Sequence, residues 1–173
     1  GGTTTNGSPY NPYYGYTYSQ SIFDQSEIAL AGDLDKIRYY FNGNSTFTDN
    51  PVNVYVGHTT KSTFSSTTDW ISLASLTLVY SGSVTTTTTA GWIEIDISNF
   101  TYNNTDNLII AVHEAQSGYH SSSDDYYATA CTGNKTLLKY QDSPVINPSS
   151  PPSGSLYSSR PNIQLVFVGV TPM

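Results

Sequence analysis

Hydrophobic and polar residues alternate along most of this chain in short runs separated by turn residues, the period of half-buried β-strands. Residues 92–97 (WIEIDI) are the clearest case. Ile93, Ile95 and Ile97 fall on one face, and Trp92, Glu94 and Asp96 fall on the other. Residues 34–41 (LDKIRYYF) put Ile37, Tyr39 and Phe41 on one face, and residues 52–58 (VNVYVGH) do the same with Val52, Val54 and Val56. Further strands are expected over 16–23, 26–31, 77–84, 126–131, 136–140 and 162–170. Residues 107–114 (NLIIAVHE) form a continuous apolar run, which predicts a strand buried on both faces. Residues 70–76 are ambiguous between strand and a short helical turn, and 85–89 (TTTTT) read as a loop or edge strand. A Pro- and Ser-rich loop is expected over 142–160.

Nine to eleven short strands with no long helix predict an all-β fold. The expected form is a two-sheet antiparallel β-sandwich of jelly-roll type. Residues 1–15 (GGTTTNGSPYNPYYG) have no periodicity and read as an extended N-terminal arm, leaving 16–173 as the sandwich domain. Only 11% of the 173 residues are charged, and 15 are Tyr. Low charge with abundant Ser, Thr, Asn and Tyr suits an extracellular β protein and gives catalysis few ionisable groups to converge. The net charge of −7, with six scattered basic residues, opposes binding to nucleic acid or to an anionic membrane surface. No run reaches the ~20 apolar residues of a membrane-spanning helix. Cys131 stands alone, so an intramolecular disulfide framework is excluded, and it is expected as a small buried hydrophobe.

Four segments carry a resemblance: residues 37–43 (IRYYFNG), 54–70 (VYVGHTTKSTFSSTTDW), 107–123 (NLIIAVHEAQSGYHSSS) and 159–167 (SRPNIQLVF). Together they resemble a β-sandwich module of secreted and cell-surface bacterial proteins, over roughly residues 16–168. The resemblance implies the sandwich fold and an extracellular or cell-surface location, and no catalytic motif comes with it. With its arm, the chain also resembles the subunits of pilus-like extracellular fibres, in which an extended tail of one protomer completes the next.

Candidate chemistry is sparse. His58, His113 and His120 have no G-x-S-x-G partner, and no enzyme is expected. The acids fall mostly in turns, where Asp usually bonds its own backbone. Asp33 with Asp35, or Asp124 with Asp125, are candidate ligands of a structural calcium ion. Trp70, Trp92, Tyr119, Tyr126 and Tyr127 are candidates for a glycan platform. Sequons at Asn6, Asn44, Asn99, Asn103 and Asn134 mark candidate glycosylation sites. The arm offers Thr3, Thr4 and Thr5 in extended-favouring sequence, then Pro9, Tyr10, Tyr13 and Tyr14, which can lie flat on a neighbour. The expected function is therefore a non-enzymatic filament subunit joined head-to-tail to copies of itself through the arm. A carbohydrate-binding or adhesive module is the alternative.

Overall fold

The computed structural model describes residues 1–170; residues 171–173, the last of the expected domain, lie outside the described residues. Eleven strands follow one another: β1 (Tyr16–Phe23), β2 (Gly32–Phe41), β3 (Thr48–Thr59), β4 (Thr77–Thr85), β5 (Gly91–Tyr102), β6 (Asn107–Glu114), β7 (Ala128–Ala130), β8 (Thr136–Gln141), β9 (Ser155–Tyr157), β10 (Ser159–Pro161) and β11 (Ile163–Phe167). A one-turn helix α1 (Gln25–Ile28) and a 3₁₀ turn (Leu73–Ser75) are the helical pieces among the described residues. None is long and apolar enough to cross a membrane.

The fold is an all-β sandwich of antiparallel sheets. A six-stranded sheet runs β4-β3-β6-β1-β8-β9 and faces a three-stranded sheet β11-β2-β5; β10 and β7 form a small separate pair. Strand β3 pairs with β4, β2 with β5 and β1 with β6, so the pairs nest. The middle pair lies in the smaller sheet and the outer two in the larger. A hairpin folded over in this way has the winding of a jelly roll.

Alternation sets the core. Ile37, Tyr39 and Phe41 of β2 and Ile93, Ile95 and Ile97 of β5 pack against Val52, Val54 and Val56 of β3 and Leu108, Ile110 and Val112 of β6. Trp92, Glu94 and Asp96 are exposed on the other face of β5. Every residue of β6 after Asn107 is buried, as its unbroken apolar run requires. Its outer side, Ile109 and Ala111, is covered by Phe64, Trp70, Leu76 and Ile146 from two long loops. Gln20 clamps one of those loops, donating to the Ile71 carbonyl and accepting from the Ile71 N–H at 2.8 Å each.

Three expectations change. Residues 26–31 are not a strand. The Asp24 carbonyl accepts from the Glu27 and Ile28 amides, and the turn closes at Ala29 in a left-handed conformation (φ 51°). Of residues 126–131, only Ala128–Ala130 form a strand. The Pro- and Ser-rich loop contains the short strands β9 and β10, held by β8 and β7.

The sheets are unequal, and this positions the site. The three-stranded sheet covers β3 and β6 but leaves the same side of β1 to be covered by something else. There β1 carries Thr17, Ser19 and Ser21: Ser21 stands opposite Ile110 and Ser19 opposite Val112, so these small polar side chains share the core face. All three are buried.

Candidate functional site: the seat of the N-terminal segment

The covering element is the segment 1–15. It starts beside β7, where Thr4 bridges Ala128 in antiparallel fashion; the Ala128 N–H donates to the Thr4 carbonyl at 2.7 Å, and the Thr4 hydroxyl donates to the Ala128 carbonyl at 2.9 Å. The Gly2 N–H donates to Thr129 Oγ1, and Asn162 Nδ2 donates to the Gly2 carbonyl. A Cβ on Gly2 would lie 2.8 Å from the Ala128 carbonyl oxygen, so the backbone approach itself calls for glycine. Asn6 donates to Ser159 Oγ and accepts from the Ser8 N–H, which turns the chain inward.

The small side chains on β1 receive it. Ser19 Oγ donates to the Pro9 carbonyl at 2.6 Å, and Thr17 Oγ1 accepts from the Asn11 N–H at 3.0 Å. Larger residues there would occupy the space the backbone of the segment fills. Tyr10 is 1% exposed and belongs to the main core cluster. Its ring meets that of Tyr126 edge-on at 5.0 Å, and the two hydroxyls share a 2.7 Å hydrogen bond. Tyr126 in turn packs on Phe41 and Tyr39. Burying a ring of this size contributes roughly 2–3 kcal/mol.

The segment then leaves the core. The His120 N–H donates to the Pro12 carbonyl, Tyr14 packs on Tyr140 at 4.3 Å, and Tyr13 meets Tyr119 at 5.8 Å. Gly15 closes the stretch; a Cβ there would stand 2.9 Å from the Asp142 carbonyl oxygen. Of the arm residues singled out in the sequence, Pro9 and Tyr10 are buried, Thr3, Thr4, Thr5 and Tyr13 are exposed, and Tyr14 is half-buried. In this chain the arm is thus not a projecting tail: it is seated on its own domain.

An acidic pocket lies within electrostatic reach of the seated hydroxyls. Burial, with the neighbouring Tyr126 and Asp49 adding to it, holds the Tyr10 phenol well above its usual range. Burial also raises Tyr126, against the hydrogen bond from Tyr10. The Glu114 carboxyl is pushed up to about 8 by burial and by Asp49, against the Gln116 N–H it accepts. Asp49 is raised by burial, and the His120 Nε2 contact at 2.8 Å opposes the rise.

The five aromatic residues expected to form a glycan platform do not come together. Tyr126 is in the core; Trp70 packs on Tyr18 and donates its indole N–H to the Pro152 carbonyl; Tyr119 is 69% exposed beside Tyr13. Trp92 and Tyr127 do meet, through Tyr40. Tyr40 touches Trp92 edge-on at 5.1 Å and stacks on Tyr127 at 6.0 Å. Tyr40 was not expected at this site; its offset of two from Arg38 on β2 is the signal that places it on the outward face with Trp92.

The histidines are dispersed. His58 accepts from the Asn103 N–H and stacks on Tyr102, His120 stacks on Phe47, and His113 is buried with its Nε2 unpartnered. Asp124 accepts from Asn44, Ser45 and the Ser121 N–H, and Asp33 accepts from Thr101. Among the described residues no three His, Cys, Asp or Glu side chains converge to hold a metal ion. Of the sequons, Asn44, Asn99 and Asn103 are exposed, whereas Asn6 and Asn134 are half-buried. The Cys131 thiol is half-buried and raised by burial. In comparisons with known proteins, no family model, curated protein or solved structure matches the chain.

Proposed function

We propose that this chain is a structural subunit of an extracellular filament that assembles head-to-tail by exchanging residues 1–15 between copies. The carrying observation is the seat: a Ser/Thr-lined face on β1, an antiparallel bridge at Ala128 and a core socket for Tyr10. Every contact that residues 1–10 make within one chain is available, atom for atom, to residues 1–10 of a second chain. Exchange therefore needs no new interface, which is what makes swapping a low-cost route to assembly. Each subunit gives one arm and receives another, so the contact is heterologous and propagates unless rotation closes it into a ring. Residues 11–15 are the connecting stretch, long enough when extended to span about 16–18 Å between a domain and its neighbour's seat. The low charge of the chain and its cell-surface resemblance agree with an extracellular role.

Negative-stain electron microscopy of the purified chain tests this. Regular filaments are expected for the full chain and none for a chain lacking residues 1–15. A synthetic peptide of residues 1–15 should bind the truncated chain, restore its folding and leave it unable to polymerise. Dispersed 18.8 kDa particles from the full chain, or filaments from the truncated one, would contradict the proposal.

A further inference from the structure

Two cavities lie by the three-stranded sheet: one at its β11 edge, where Ile163, Leu165 and Phe167 stand on the core side of the strand, and one on its outer face. One, of about 720 Å³, runs along β11 and is lined by Phe23, Ile28, Arg160, Ile163, Leu165 and Phe167 among others. The other, of about 300 Å³, lies against Tyr40 and Tyr127. Trp92, Asn162 and Gly1 line both, so the two adjoin, and together they are called the trough below.

We propose that this trough binds a neutral oligosaccharide or polysaccharide chain, with Trp92 as its stacking platform. The proposal is independent of the filament reading, because a seated arm supplies the same Gly1–Thr3 rim whichever copy it comes from. Trp92 is 39% exposed, yet its indole is braced by the Tyr40 edge, which Tyr127 supports in turn. A braced, half-exposed indole presents its negative π-face at little cost in side-chain ordering. The weakly positive C–H face of a pyranose ring complements that quadrupole. Farther along, the trough mixes apolar walls with a few oriented polar groups, as small-molecule sites do. Asn162 is held by Gly2 and Thr129, and Gln164 by Arg38.

Charge selects a neutral ligand. Arg160 is spent on Glu27 at 2.8 Å, and Glu94 is shared by Lys36 and Arg38 at 3.0 and 2.7 Å. The chain as a whole carries −7, which opposes an anionic polymer. A peptide strand added to β11 is the competing occupant. Only five residues are available there, bounded by Pro161, which has no N–H, and by a register shift at Val166/Phe167, so few ladder positions remain.

Affinity gel electrophoresis of the intact chain tests the site, with soluble glucans, mannans and xylans in the gel and with polygalacturonate as the charged control. At least one neutral polysaccharide should retard the protein. Trp92→Ala should weaken that retardation tenfold or more, while Tyr119→Ala, an exposed aromatic outside the trough, should leave it unchanged. Circular dichroism melts verify that both variants fold. No retardation by any neutral polysaccharide would overturn the proposal. So would retardation that survives Trp92→Ala, preference for polygalacturonate, or competition by an extended apolar peptide in place of the sugar.

Discussion

Two tyrosine clusters on this chain use one residue type in opposite ways. The Tyr10–Tyr126 pair is fully buried, and each hydroxyl satisfies the other in the core. The Tyr40–Trp92–Tyr127 cluster sits on the outward face of the small sheet, with its rings braced by each other, Trp92 exposed and the two tyrosines half-buried. The first holds a segment of the chain in place, so its energy belongs to folding. The second leaves the Trp92 indole part-exposed beside the Gly1–Thr3 rim, where the proposed sugar would stack. The lesson is that aromatic richness is not a function. What separates the roles is whether the ring's polar tip is paired inside or its face is left open outside.

Substitutions can break this contrast, and the largest effect is expected at Tyr10. Tyr10→Ala leaves a ring-sized void in the core and should cost about 3–5 kcal/mol in urea unfolding. Trp92→Ala should cost under about 1 kcal/mol in the same measurement. Equal losses would erase the distinction. Next comes Tyr126→Phe, which leaves the buried Tyr10 hydroxyl without its hydrogen-bond partner and should cost about 1–3 kcal/mol. Adding Tyr10→Phe should recover most of that, and a double-mutant cycle reads the coupling directly.

The largest pH effect is expected beside the buried cluster. Burial holds the Glu114 carboxyl up to about 8, far above an exposed glutamate. Between about pH 4.5 and 8 the folded chain keeps a proton that the unfolded chain has lost. That contribution to stability is present at the acid end and declines as pH rises, by up to about 1.4 kcal/mol per unit. Replacing the group by Glu114→Gln should flatten the profile, so the variant gains on the parent as pH increases; parallel profiles would refute the assignment. The smallest effect is expected on the exposed sheet face, where Glu94→Gln loses the pairs with Lys36 and Arg38. Solvent screens them, and the loss should stay below about 1 kcal/mol.

Much of the sandwich was legible from alternation. The β2, β3 and β5 faces follow period two, and the buried run of β6 reads directly from NLIIAVHE. The outward position of Trp92 followed from its place before Ile93. The seat was not legible, for a physical reason. Thr17, Ser19 and Ser21 alternate with Tyr18, Gln20 and Ile22, a pattern that reads as a polar outer face. They are core-facing because a backbone segment, not side chains, fills the layer above them, and backbone needs small hydrogen-bonding neighbours. Likewise Tyr10 and Tyr13 look alike in the sequence, and only the turn set by Asn6 and Ser8 sends one into the core and leaves the other outside.

The central proposal is that on assembly the seat at Ala128, filled within one chain by its own arm, takes the arm of another copy. Thr4 and Ala128 are directly opposed across an antiparallel bridge, where Cα atoms are close enough for a disulfide. A Thr4→Cys, Ala128→Cys chain in a Cys131→Ser background, oxidised after assembly and run on a denaturing non-reducing gel, reports which copy supplies the arm. Exchange predicts a ladder of covalent dimers, trimers and longer oligomers. A single band of internally cross-linked monomer would contradict it.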